Sequence, residues 1–259
     1  MLPIFFKLHS QYIKTQLEYK ANFWMMMISG VLTRVVLLAV PFVLYRNMTE
    51  IAGWKESEVY LILSFTFLSE GLCNLLFNGI WQLPDMVFNG NLDIVLSRPV
   101  SPLIQVLTKD IGLQGISITV FGVITMVLSL VDMEVTNLLI IPLCVLLVLV
   151  GTVIRLSVYI ITNSAVFWFN SGGSNNIPYI VGGIGDFAKY PIDIYPKWMQ
   201  IILFFIIPFG FIGFVPTLIL KGLYMGIGTA VLLAVSILFF IIARIVFKKG
   251  IKNYESMGM

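Results

Sequence analysis

The sequence predicts an all-α integral membrane fold: six transmembrane helices, an N-terminal interfacial helix, and an outer re-entrant helical hairpin before the last span. Three observations carry this. Of the 259 residues, 59% are hydrophobic and only 11% charged, and the mean hydropathy is +0.97, so the chain has too little polar surface to cover a water-soluble globule of its length. Long apolar runs recur along it, each close to the roughly 20 residues a helix needs to cross a ~30 Å hydrocarbon core. Both ends of the chain are basic, which fixes the parity of the crossings.

Residues 1–20 hold the interfacial helix. Between positions 4 and 19, Phe5, Leu8, Tyr12 and Leu17 recur at about helical spacing, while Lys7, His9, Gln11 and Lys14 occupy other directions. No short apolar run ending at a small-residue cleavage site precedes the first span, so no removable signal peptide is expected. Four clear spans follow at 21–45, 57–83, 110–131 and 136–163. A Gly- and Asn-interrupted run at 164–188, a proline-broken run at 198–220 and a continuous run at 223–247 complete the chain.

Crossings by every one of these runs would put the two ends on opposite faces. Lys7, Lys14 and Lys20 precede the first run and Lys248, Lys249 and Lys252 follow the last, so the positive-inside rule places both ends in the cytoplasm. One run must then enter and leave by the same face. The 198–220 run suits this best, because Pro208, Gly210 and Pro216 divide it into two short helical pieces within an outer region at 189–222. The other solution is that 164–188 fails to cross. The expectation is a multi-pass protein of the cell (plasma) membrane, a single transmembrane domain with a cytoplasmic loop at 84–109 and a cytoplasmic tail at 248–259.

Several function classes drop out. The 16 Lys and Arg are scattered through loops and form no basic face for nucleic acid. His9 is the only histidine, and Cys73 and Cys144 lie far apart inside apolar runs, so a His-based triad, a multi-His metal site and a CxxC pair are all missing. No G-x-x-x-x-G-K-[ST] loop occurs, and any ATPase must be another chain. The stretch from Gly183 to Ala188 matches G-x-G-x-x-A in form but has no βαβ unit around it; its glycines suit close helix approach or an unwound turn. Asn47-Met48-Thr49 fits a glycosylation sequon and carries no function in this reading.

Two charges, Arg34 and Glu70, fall near the middle of antiparallel spans, at similar depth. An unpaired charge there costs about 3 kcal/mol or more, so they are expected to pair or to share a polar interior, either to fix helix register or to handle substrate. Arg155 and Arg244 are read as snorkelling from span ends. Gly222 and Gly226 form a GxxxG at the head of the last span.

The loop sequence Gly90-Asn91-Leu92-Asp93-Ile94-Val95-Leu96-Ser97-Arg98-Pro99-Val100-Ser101 resembles the loop signature of the type-2 ABC permease family, approximately G-E-L-D-x-x-L-x-R-P-V-S. The prolines of Tyr190-Pro191, Tyr195-Pro196-Lys197-Trp198, Ile207-Pro208-Phe209 and Val215-Pro216 resemble that family's stretch before its last span. Gly250-Ile251-Lys252-Asn253-Tyr254-Glu255-Ser256 resembles its G-x-x-x-Y-E-S ending. Asn91 departs from the usual acid, which removes any salt bridge from that position.

The resemblance implies an exporter half-transporter with a coupling helix between the second and third spans. Its partners would be ABC ATPase subunits, a second permease copy or paralogue, and the lipid bilayer, with no nucleic acid. The chain itself would bind no cofactor, ATP and Mg residing on the ATPase. Pro84, Pro99 and Pro102 stiffen the loop, and Asp85, Leu92, Asp93, Ile94, Leu96, Arg98 and Pro99 form the expected docking patch, with Val95 as a further apolar anchor; the alternative is an apolar loop packed back on its own bundle. Phe65, Phe67, Phe77, Phe167 and Trp168 are candidates to line a path for drugs, peptides or other amphipathic compounds. The rival functions are a non-transporting membrane scaffold and a membrane-embedded lipid-modifying enzyme, the latter lacking a cluster of acids, histidines or a nucleophile at one face.

Overall fold

A computed structural model of the chain describes residues 20–135, 140–169 and 175–255. The expected interfacial helix at 4–19 lies outside the described residues. Helices account for about four-fifths of the described chain, as expected where backbone groups have only each other to bond in hydrocarbon. In chain order they are α1 (Lys20–Tyr45), α2 (Glu56–Phe77), α3 (Leu83–Phe88), α4 (Leu92–Leu96), α5 (Pro102–Leu107), α6 (Gln114–Asp132), α7 (Ile140–Ser164), α8 (Ile177–Gly185), α9 (Lys197–Ile201), α10 (Phe214–Leu220) and α11 (Met225–Asn253).

Among the described residues five helices are long and apolar enough to cross a membrane: α1, α2 with its extension to Phe88, α6, α7 with its extension to Phe167, and α11. Helices α2 and α7 form the centre, with Leu61, Ile62, Phe65, Leu147, Ile154 and Ile160 fully buried, whereas α1 and α11 turn most of their apolar side chains outward. Helix α6 lies tightly against α2. A Cβ on Gly115 would fall 2.6 Å from the Gly71 carbonyl oxygen, a spacing that only glycine permits. Helix α6 starts at Gln114, later than the 110 read from hydropathy. Its approach is tied instead to α2, through Asn78 Nδ2 donating to Asp110 Oδ2 (2.6 Å) and Gly112 N donating to the Asn74 carbonyl (3.0 Å).

The run at 164–188 is no continuous span. Helix α7 tightens into a 3₁₀ turn at Ala165–Phe167, α8 has nine residues, and a 3₁₀ turn at Asp186–Lys189 follows. The chain nonetheless passes from one face to the other. Asn175 Nδ2 donates to the carbonyls of Thr162 and Asn163 at the end of α7, and Asp193 Oδ2 accepts from Trp54 Nε1 (3.2 Å) on the far side of α2. Residues 175–193 thus run as a broken traverse from the end of α7 to the Trp54 end of α2.

The proline-broken run then behaves as a hairpin. Its two halves, Lys197–Ile206 and Pro208–Leu220, are bent by 74°. Pro208 has no N–H to continue the first half, whose last turn, Ile202–Ile206, widens to π geometry with Ile207 N donating to Ile202 O at 2.8 Å. Both ends return to Trp54. Asp193 holds the indole N–H before the hairpin, and after it Lys221 Nζ lies 4.4 Å from the Trp54 ring centroid and 2.8 Å from Glu58 Oε1. Trp54, itself buried, thus closes the hairpin from one side. Gly222 and Gly226, in contrast, make no helix contact: Gly222 takes a left-handed turn (φ +81°), and nothing lies within 4 Å of a Cβ at Gly226.

Candidate functional site

The loop at 84–109 is three short helices held as one body. Gly90, at φ +70°, turns the chain between α3 and α4. The inner row, Leu83, Met86, Leu92 and Val95, is buried against the bundle, so Leu92 serves as an anchor to its own chain and not as a docking surface. Gln105 clamps the rest, its Nε2 donating to the carbonyls of Val95 (3.1 Å) and Val100 (2.8 Å). Leu96 is half-buried. Asp85, Asp93, Ile94, Arg98 and Pro99 face outward, with Ile94 56% exposed. Phe88, absent from the patch expected from sequence, stands beside them at 42%. A groove of about 320 Å³ runs between Ile94, Arg98 and Lys109.

The tail meets this loop. The Tyr254 hydroxyl is buried beside the Asp93 carboxylate; burial first, and then the negative charge of Asp93, raise the phenol pKa above its ordinary value. The Tyr254 ring stacks edge-on to Phe167, 6.5 Å between centroids, and Phe247 packs on Phe167 at 6.0 Å. Phe167 is therefore buried where α7, the loop and the end of α11 converge. Phe65 and Phe67 are also fully buried, so in this conformation none of these three lines an open path; Phe77 is half-buried and Trp168 exposed.

A second feature lies inside the membrane. Arg34 and Glu70 form an ion pair, and the Arg34 guanidinium sits over the Phe67 ring, 5.0 Å from its centroid. Arg155 joins them. It does not snorkel: it is buried mid-way along α7, donating from Nε to Ser69 Oγ (3.1 Å), from Nη2 to the Thr66 carbonyl (3.3 Å) and from Nη1 to the Tyr159 hydroxyl (3.3 Å), with Phe209 beneath it at 5.0 Å. The parallel run of α2 and α7 puts this side chain opposite Ser69 and Glu70, a pairing that hydropathy alone does not reveal. Lys189, in the broken traverse, pairs with Asp186 at 2.7 Å. These groups open onto a cleft of about 370 Å³ between α1, the base of α2, and α8.

The loop, tail and proline hairpin that the three sequence landmarks mark out lie in one bundle, and a family model described as ABC-2 family transporter protein matches residues 11–258. The chain belongs to that family. It is a multi-pass transporter permease, the membrane component, which in ABC-2 transporters carries no ATPase site. No match to a curated protein or to a solved structure was found. For an ABC-2 permease the arrangement divides labour cleanly: a rigid, partly apolar loop at one face, and a charged cleft at the depth where lipid tails would otherwise be.

Proposed function

We propose that this ABC-2 permease is half of an ATP-driven exporter, working as a homodimer or beside a paralogous permease, and powered through residues 84–109 by separate ABC ATPase subunits that bind ATP and Mg. In this reading the loop face and both termini are cytoplasmic, and the Trp54 face is outside. The observation that carries it is the two-sided loop: Leu92 and Val95 fasten it to the bundle while Ile94 and Phe88 stand exposed among Asp85, Asp93 and Arg98. An apolar pair ringed by charges on a clamped body is what a soluble partner needs in order to push on the membrane helices. ATP binding would draw the ATPases together and carry the loops with them; hydrolysis would reset them. The cargo class is drugs, peptides or other amphipathic compounds.

The test is co-expression with an ABC ATPase partner, followed by purification. The wild-type permease brings the ATPase down and stimulates its turnover. Ile94→Asp and Arg98→Ala lose both while unfolding at the wild-type temperature. Full ATPase capture and transport by Ile94→Asp would remove the docking assignment, and an unstimulated ATPase beside the wild type would favour a scaffold.

A further inference from the structure

The charged cleft has features that a lock for helix register does not need. Its cations outnumber its carboxylates: Arg34, Arg155 and Lys189 face Glu70 and Asp186. Glu70 lies in the field of all three cations, yet only Arg34 touches it, and Arg155 has no carboxylate partner among the described residues. A surplus cation held in apolar surroundings seeks an anion.

The donors point the same way. Arg34 is 5% exposed and lines the cleft, and its Nε–H has no acceptor. A guanidinium presents its donors as a fork that matches the paired oxygens of a carboxylate or phosphate, and Glu70 engages only part of the fork. On the opposite wall Gly182 and Gly183 leave the space clear, with nothing within 4 Å of a Cβ at either. Trp81 and Tyr179, ring centroids 5.2 Å apart, give the cleft an apolar flank, and Met25 and Leu32 stand exposed on α1, the helix that carries Ser29, Thr33 and Arg34 of its lining.

We propose that this cleft is a binding site for the anionic head, phosphate or carboxylate, of an amphiphile whose apolar part lies along Trp81, Tyr179 and α1. The head displaces nothing structural. It accepts from Arg34 Nε and neutralises the surplus charge shared by Arg155 and Lys189, while the glycine wall gives it room. A free inorganic anion leaves the aromatic flank unused, and a zwitterionic head brings its own cation into a site that already has too many. The inference deepens the exporter reading by naming a cargo chemistry, but binding itself needs no ATPase, so it stands or falls separately from the loop variants.

The full chain in neutral maltoside micelles is titrated with dodecyl phosphate, and binding is read from the saturable rise of the unfolding temperature. Dodecylphosphocholine and inorganic phosphate are the controls, each expected to bind at least about tenfold more weakly. Lys189→Gln, beside the exposed Asp186, weakens dodecyl phosphate binding about tenfold, and Glu70→Gln, which frees the whole Arg34 fork, tightens it by a similar factor. A cluster serving only helix register gives the opposite signature: no saturable shift, or Lys189→Gln and Glu70→Gln altering binding in the same direction, and either result overturns the proposal. Equal binding of dodecylphosphocholine or of inorganic phosphate overturns it too. Competition by phosphatidylglycerol separates the sources: displacement assigns the site to a bilayer headgroup, retention to a single-chain cargo, and both uphold the site.

Discussion

The attachment of the loop to the membrane helices is most open to test at Gly79. This residue sits in the 3₁₀ turn Asn78–Gln82 that joins α2 to α3, and the returning end of α5 presses on it. A Cβ there would lie 2.1 Å from the Val106 carbonyl oxygen, 2.8 Å from Lys109 N and 3.1 Å from Asp110 N. All three are backbone atoms, so no side chain can swing aside. Ordinary contact begins near 3.4 Å, and the end of α5 must therefore retreat by more than 1 Å. Overpacking of this kind costs up to about 3 kcal/mol, which for a chain of this size lowers the unfolding midpoint by roughly 6–12 °C. Gly182→Ala is the matched control: the same methyl meets open space inside helix α8, and its midpoint stays level or rises by a degree or two from the lower entropy of the unfolded chain. Thermal unfolding in detergent, followed by tryptophan fluorescence, measures both. A Gly79→Ala protein that melts with wild type and with Gly182→Ala would show that the loop is not seated on α2, and the mechanical link would lose its footing.

Two more expectations concern the ends of the bundle. Lys221→Met and Glu58→Gln each leave a mostly buried charge beside Trp54 unpaired and each lowers stability by about 2 kcal/mol, whereas the double variant recovers at least about 1 kcal/mol of the sum; strict additivity in the double-mutant cycle would deny the coupling. Tyr254→Phe removes a hydroxyl buried against Asp93 and costs about 1 kcal/mol. Because the folded-state pKa of Tyr254 is raised, its stabilisation is complete below the ordinary tyrosine range near 10 and fades as pH climbs above it, so melting curves between about pH 8 and 11 should fall less steeply in the variant.

Much of this architecture was legible in the sequence because lipid imposes such a simple rule: long apolar runs become helices. Parity from the terminal lysines led to a hairpin at 198–220, and Pro208 supplies its bend. What hydropathy misjudged were the interruptions. The run at 164–188 is apolar enough to span, yet its described residues fold as short separate helical pieces. Arg155 reads as a span-end residue when depth is counted along α7 alone, while its partners, Ser69, Thr66 and Tyr159, come mostly from another helix. The pair Arg34 and Glu70 was readable because two isolated charges at matching depth have few alternatives. Lys189 was hidden in a segment read as outer loop. In the loop, alternation between buried Leu92 and exposed Ile94 depends on which face of a single helical turn meets the bundle, and no periodicity is measurable over five residues.

The position of the cleft along α2 gives it mechanical meaning. Glu58, at the start of that helix, is held by Lys221, and neighbouring Trp54 is held by Asp193, so the far end is pinned to both legs of the hairpin. At the other end, Asn78 and Gly79 are held by the loop through Asp110 and Val106. Glu70 lies between, about 18 Å from Glu58 and about 13 Å from Asn78 and Gly79 at the rise of an α-helix. A lever fixed at Trp54 and pulled at the loop is displaced at Glu70 by somewhat more than half of the pull. Around Glu70 a displacement of even about 1 Å is large on the scale of hydrogen-bond lengths, because Arg34 belongs to α1 and Arg155 to α7, and the partners of both side chains lie outside the loop. Trp81, one turn from the loop, would move farther and take with it the contacts to Tyr159 (5.1 Å) and Tyr179 (5.2 Å) that wall the cleft. In the exporter reading proposed above, motion imposed on residues 84–109 would reach the charged groups as a change in their spacing, and an anion held among them would be gripped or released according to the state of the loop.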